Sequence, residues 1–82
     1  MKTHKLKILP EYMSAQLSGV KTFEIRKNDR NYQVGDRLLL REWDGEKYTG
    51  RETMVFITYI TDYKQKKGYV VLATNTFWPL GV

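Results

Sequence analysis

Turn-forming residues recur at short spacing along this chain. Gly19, Asn28-Asp29-Arg30-Asn31, Gly35-Asp36, Asp44-Gly45, Gly50 and Lys67-Gly68 cut it into short segments. Glycine supplies positive φ, and Asn and Asp bond their own backbone, so such residues end regular structure. Most of what lies between them alternates polar with apolar, the pattern of strands with one buried face. Lys5-Leu6-Lys7-Ile8-Leu9 gives a first strand with Leu6 and Ile8 inward, and Lys21 to Lys27 a second. Arg37 to Trp43, with its run Leu38-Leu39-Leu40, predicts a third strand buried on both faces for part of its length. Asp44-Gly45 signals a hairpin with type I′ preference. The returning strand passes Tyr48 and Thr49, is interrupted at Gly50 and continues from Thr53 to Thr61. Gly50 reads as a bulge where a long strand bends. Tyr69 to Thr74 is the last strand.

One stretch has helical character. Pro10 suits the first helical position, Glu11 follows in the first turn, and Gly19 is placed to cap the C-terminus. Tyr12, Met13, Gln16 and Leu17 make a short stripe at helical spacing. About two turns cannot stand alone, so packing must hold this helix. The fold class expected is mainly β (α+β), a small barrel, closed or nearly so, of five or six strands with a short helix after the first. The 82 residues allow one domain, residues 1–82, with a radius of gyration of roughly 12 Å. Residues 75–82 form an apolar tail.

The chain has no cysteine and one histidine, His4. That removes disulfides, thiol chemistry and cysteine-based zinc sites, and neither a metal nor a cofactor is expected. No apolar stretch is long enough for a membrane span, and a cytoplasmic location is expected. Fourteen Lys and Arg against nine Asp and Glu leave a charge of +5. A basic balance of that size favours anionic partners, nucleic acid above all.

Charge enters a strand meant for burial in one place, Gly19-Val20-Lys21-Thr22-Phe23-Glu24-Ile25-Arg26. With a period of two, Lys21, Phe23 and Ile25 face one way and Thr22, Glu24 and Arg26 the other. Glu24 and Arg26 are then neighbours, either as a plain salt bridge or as a pair that positions a phosphate or a base edge.

The spacing Gly19-x-Lys21-x-x-Glu24-x-Arg26 resembles the signature of ASCH (activating-signal-cointegrator homology) domains of the PUA-like superfamily. His4 to Gly19, the Arg26 to Arg30 turn, Val34-Gly35-Asp36, Tyr48-Thr49-Gly50-Arg51-Glu52 and Gly68-Tyr69-Val70-Val71-Leu72 are similar to a small bacterial and phage branch of that group. The resemblance implies a PUA-like barrel with a cleft beside the helix, into which the Lys, Glu and Arg project, and relatives thought to bind RNA or nucleotides there. Some ASCH-fold members are amidohydrolases of acylated cytidines that use a lysine, a threonine and a late-strand glutamate. Lys21 matches the lysine, while Glu24 stands at the threonine position and the late glutamate falls near Leu72.

The expected ligand site is therefore Lys21, Glu24 and Arg26, holding RNA or a nucleotide, with Gly19, Gly35, Asp36 and Gly50 architectural. Lys27, Arg30, Lys64, Lys66 and Lys67 are candidates for non-specific phosphate contact. Tyr32, Trp43, Tyr48 and Tyr63 are candidates to stack on bases. A hydrolase of a modified nucleoside, with Lys21 and Glu24 catalytic, is the alternative. A protein-protein adaptor is the second alternative, with a homodimer through Met54, Phe56, Phe77 and Trp78.

Overall fold

In a computed structural model, described here for residues 1–77, the chain forms β1 (Thr3–Ile8), α1 (Pro10–Leu17), β2 (Phe23–Lys27), β3 (Arg37–Trp43), β4 (Tyr48–Thr61) and β5 (Tyr69–Asn75). The strands make one sheet in the order β1-β3-β4-β5-β2. β1 runs parallel to β3, and every other neighbouring pair is antiparallel. The sheet curls into a half-barrel with a radius of gyration of 12.5 Å. β1 and β2 are its two edges, and it stays open between them. Trp78 and the rest of the tail lie outside the described residues. Among the described residues no helix is long and apolar enough to cross a membrane.

The alternation in β1 and β3 places even-numbered residues inside. Leu6, Ile8, Leu38 and Leu40 join Met13, Tyr32, Val55, Ile57, Val70 and Leu72 in one core. Leu39, on the outer face, is half-buried. Inward burial of apolar side chains contributes roughly 1.5–3 kcal/mol each and drives the curl.

The helix packs differently from its expected stripe. Met13 and Gln16 are buried, whereas Tyr12 and Leu17 are exposed. Met13 and Gln16 are three apart and meet the sheet on one face. Tyr12 instead stands at the open edge of the sheet. Gly19 follows the helix at φ +80, a left-handed exit that favours glycine.

The β3–β4 hairpin forms, but not through a two-residue turn. Its loop runs from Asp44 to Lys47, and the Asp44 carboxylate accepts the backbone N–H groups of Glu46 and Lys47, each at 2.9 Å. Those bonds hold the Asp44 carboxyl below its usual range. Beyond the loop, the register between β3 and β4 shifts between Arg41 and Trp43, and Gly50 lies in the extra length of β4 at φ +96.

Asp36 closes the turn before β3. Its Oδ1 accepts the Lys2 N–H at 3.0 Å, and its Oδ2 accepts the Gln33 N–H at 3.1 Å and lies 2.8 Å from His4 Nε2. Burial pushes the Asp36 carboxyl up, but these hydrogen bonds outweigh it and leave it below its ordinary value. Tyr32 packs edge-on to the His4 ring at 4.9 Å. It is core, which removes it from the residues able to stack on a base.

Candidate functional site

The half-barrel's opening is a cleft of about 460 Å³ between β1 and β2, lined by Lys7, Ile8, Leu9, Tyr12, Lys21, Phe23, Glu24, Ile25 and Arg26. All three residues of the Lys-Glu-Arg set line it. The cations Lys27, Arg30, Lys64, Lys66 and Lys67 do not. Lys27 pairs with Tyr69 at the far end of β2, and Asn28 N–H bonds Gly68 O there, so Lys27 stands beside the β4–β5 loop.

Glu24 is the hub of the cleft wall. Its residue is only 4% exposed, so its charge requires partners. One oxygen accepts Gln16 Nε2 at 2.9 Å and is paired with Lys21 Nζ. The other accepts Arg26 Nη2 at 3.0 Å and Nε at 3.3 Å. Lys21 Nζ also donates to Phe23 O at 2.7 Å. Arg26 Nη2 donates to Lys7 O at 2.9 Å, bridging the two edge strands across the opening.

One expectation about this strand changes. Regular pairing starts at Phe23, so Lys21 precedes the strand, although Thr74 N–H still bonds Thr22 O at 2.9 Å. From Phe23 to Arg26 the two-fold alternation holds, and the polar side is the inner one: Phe23 and Ile25 are 42% and 53% exposed while Glu24 is buried. The exposed apolar residues gather with Leu9 and Tyr12 around the cleft. Lys21 Nζ lies 5.0 Å from the Phe23 ring centre and 5.6 Å from that of Tyr12, so the rings lean on the cation. The arrangement offers two cations fixed by a buried carboxylate and two aromatic faces within one opening.

A third buried carboxylate, in addition to Glu24 and Asp36, was not anticipated. Glu42 accepts Thr49 Oγ1 at 2.6 Å and is paired with Arg51, whose Nε lies 3.1 Å away. Arg51 also donates to Ser14 Oγ at 3.2 Å, tying the bulged part of β4 to α1. The bonds from Arg51 and Thr49 lower the Glu42 carboxyl, against the effect of burial. Parity would have revealed it, because Glu42 continues the inward series Leu38, Leu40.

Behind the hub lies a smaller cavity of about 200 Å³, whose lining includes Gln16, Lys21, Thr22, Val55, Thr74 and Asn75. Lys21 borders both spaces. Thr74 is buried, and its hydroxyl has no hydrogen-bond partner among the described residues. Glu24 is opposite Leu72 in the β2–β5 register. Thr74 is two residues further along the same inner face.

A curled sheet that stays open between its edge strands, with a buried carboxylate and two cations walling the gap, defines a class of small half-barrel domains. This chain belongs to the family described as "Domain of unknown function (DUF3850)", whose family model matches residues 3–74. It is also 42% identical over 72 residues to the "Uncharacterized 12.9 kDa protein in GpA 3'region" of Escherichia phage P2. That match covers 87% of this chain and 66% of the phage protein, so the chain spans just under two thirds of that relative.

Proposed function

We propose that the β1–β2 cleft holds a nucleotide, either free or as part of an RNA strand. The observation that carries the reading is Glu24, buried and clamped between Lys21 and Arg26 on the wall of an opening with aromatic and aliphatic lips. With both oxygens taken up by Gln16, Lys21 and Arg26, Glu24 serves to fix the two cations at the opening, where they face an anionic group. Arg26 can engage a phosphate while still bridging β1 and β2, and Tyr12 and Phe23 offer faces for stacking. A cleft of about 460 Å³ is of the size that takes a small organic ligand. The resemblance to ASCH domains supports the same reading. Titration with mononucleotides and single-stranded RNA tests it: affinity falls steeply with salt, and Arg26→Ala weakens binding more than Lys66→Ala. Salt-independent binding refutes it.

Thr74 favours a second reading, hydrolysis of an acylated nucleoside. The hydrolases that the sequence resembles need a lysine, a hydroxyl and a carboxylate. Here Lys21 would keep its role, Glu24 on β2 would supply the carboxylate, and Thr74 on β5 the hydroxyl. Water would add to the amide carbonyl, and its proton would pass to the leaving nitrogen as the C–N bond breaks, releasing a carboxylic acid and the free amine, with Glu24 holding Lys21 in place. A panel of N-acylated nucleosides tests this reading, which requires turnover that Lys21→Ala and Thr74→Val each abolish. Without turnover only the binding reading stands.

A further inference from the structure

We propose that the ligand is a single-stranded nucleic acid, which runs from the β1–β2 cleft across the outer face of β1, β3 and β4. The inference rests on the nucleotide reading of the cleft and names the polymer class of its ligand.

Strand register builds this face. Thr3 is opposite Arg37, Lys5 opposite Leu39 and Lys7 opposite Arg41. With His4, Leu6, Ile8, Leu38, Leu40 and Glu42 buried, these odd-numbered residues turn outward. Lys5, Lys7, Arg37 and Arg41 therefore share one surface, at spacings of roughly 5–7 Å set by the strand separation and rise. Glu52, opposite Arg41, is the acid that the register places among them, and it bonds Arg41 Nε at 2.8 Å.

Cations on an edge strand can be no more than a guard against aggregation. Two observations point beyond that. The face ends in an aromatic pair, Trp43 and Tyr48, with ring centres 5.0 Å apart. Lys7 Nζ sits 4.0 Å from the Trp43 ring centre and the Arg41 guanidinium 4.0 Å from that of Tyr48. Rings that hold cations in place give a basic surface with planar groups on which bases stack, the combination that single strands require. The second observation is continuity, because Lys7 also lines the cleft. A phosphate on Lys7 joins a nucleotide in the cleft to the next one on the Trp43–Tyr48 face, while Lys5 and Arg37 continue the backbone track. The charge of the Lys64–Lys67 loop is not needed for this path.

The experiment is an equilibrium titration of the full chain with a mononucleotide and with a nine-nucleotide single-stranded RNA, across a salt series. The nonamer binds at least about tenfold tighter, and its log–log salt slope steepens by about 0.7 for each phosphate engaged. Lys5→Glu combined with Arg37→Glu lowers nonamer affinity about tenfold and leaves the mononucleotide within about twofold. Glu52→Gln raises nonamer affinity, a gain that misfolding cannot imitate. If the nonamer binds no tighter than the mononucleotide, or neither charge change moves it, the strand path is wrong and the cleft reading survives. If polyglutamate competes as well as RNA, the face is a plain anion surface and the proposal falls. If neither nucleotide nor nonamer binds, both readings fall together.

Discussion

Replacing Glu24 with glutamine tests whether the carboxylate is the hub of the opening. The side chain keeps its size but loses its charge and one of its two acceptor oxygens. Both oxygens are engaged, one by Gln16 and Lys21 and the other by Arg26. Whichever way the amide is turned, it points a donor at donors. Hydrogen bonds to a charged group contribute about 1.5–3 kcal/mol each, and breaking a fully buried pair costs about 3–5 kcal/mol. Lys21 and Arg26 side chains are 15% and 24% exposed, so both recover some hydration through the cleft. The expected net loss is about 2–3 kcal/mol, which in a domain of this size lowers Tm on the order of 10–20 °C. Lys21→Met leaves Glu24 with Arg26 and Gln16 and costs about 1 kcal/mol. Urea unfolding of the two single variants and the double variant measures these terms and their coupling. A loss below about 1 kcal/mol in Glu24→Gln, or an equal loss in Lys21→Met, refutes the hub. The same variant has a ligand signature: Lys21 and Arg26 lose their internal anion, so phosphate affinity rises.

Asp36 has a folded-state pKa depressed below its ordinary 3.8, so its contribution is present at neutral pH and is lost as pH falls through the folded value. Asp36→Asn therefore lowers stability at neutral pH and flattens the acid limb of a urea-midpoint profile. Gly50 stands at φ +96 with open space where a Cβ would go, so Gly50→Ala destabilises through backbone conformation alone, by about 1 kcal/mol in denaturant unfolding. Thr74→Val removes a buried hydroxyl that has no partner among the described residues. Its unfolding free energy is unchanged or raised by up to about 1 kcal/mol, and a loss instead means that the hydroxyl is bonded in the folded protein.

The strands were legible because alternation and turn residues agree. β3 begins and ends at the expected Arg37 and Trp43, and Gly50 lies in a register shift as its place inside a long strand required. Which face of β2 points inward was not legible. A period of two separates Phe23 and Ile25 from Glu24 and Arg26, but hydrophobicity would send the first pair inside. Only the tertiary partners reverse that choice: Gln16 from the helix, Lys21 before the strand and the carbonyl of Lys7 on the opposite edge. Thr74 was missed for a related reason. Its relation to Glu24 is a matter of register, and register depends on pairing across more than forty residues of chain. The type I′ expectation at Asp44-Gly45 failed locally, because the Asp44 carboxylate satisfies two N–H groups of a longer loop.

The inverted face of β2 is also the strongest argument that the opening is used. A buried ion pair is seldom more stable than apolar side chains of the same volume. Turning Phe23 and Ile25 inward would both fill the core and remove exposed apolar surface. This strand does the opposite twice over, burying Glu24 and exposing its two apolar neighbours, and it does so at the one place where the sheet fails to close. Local violations of binary patterning concentrate where function opposes stability. Glu42 shows that burying a carboxylate is not by itself such a sign: Arg51 and Thr49 tie it to the β4 bulge, and Glu42 does not line the cleft. What distinguishes Glu24 is the combination of a buried charge with cations and apolar side chains left facing the same opening. A ligand carrying both an anionic group and a flat apolar surface would satisfy both at once.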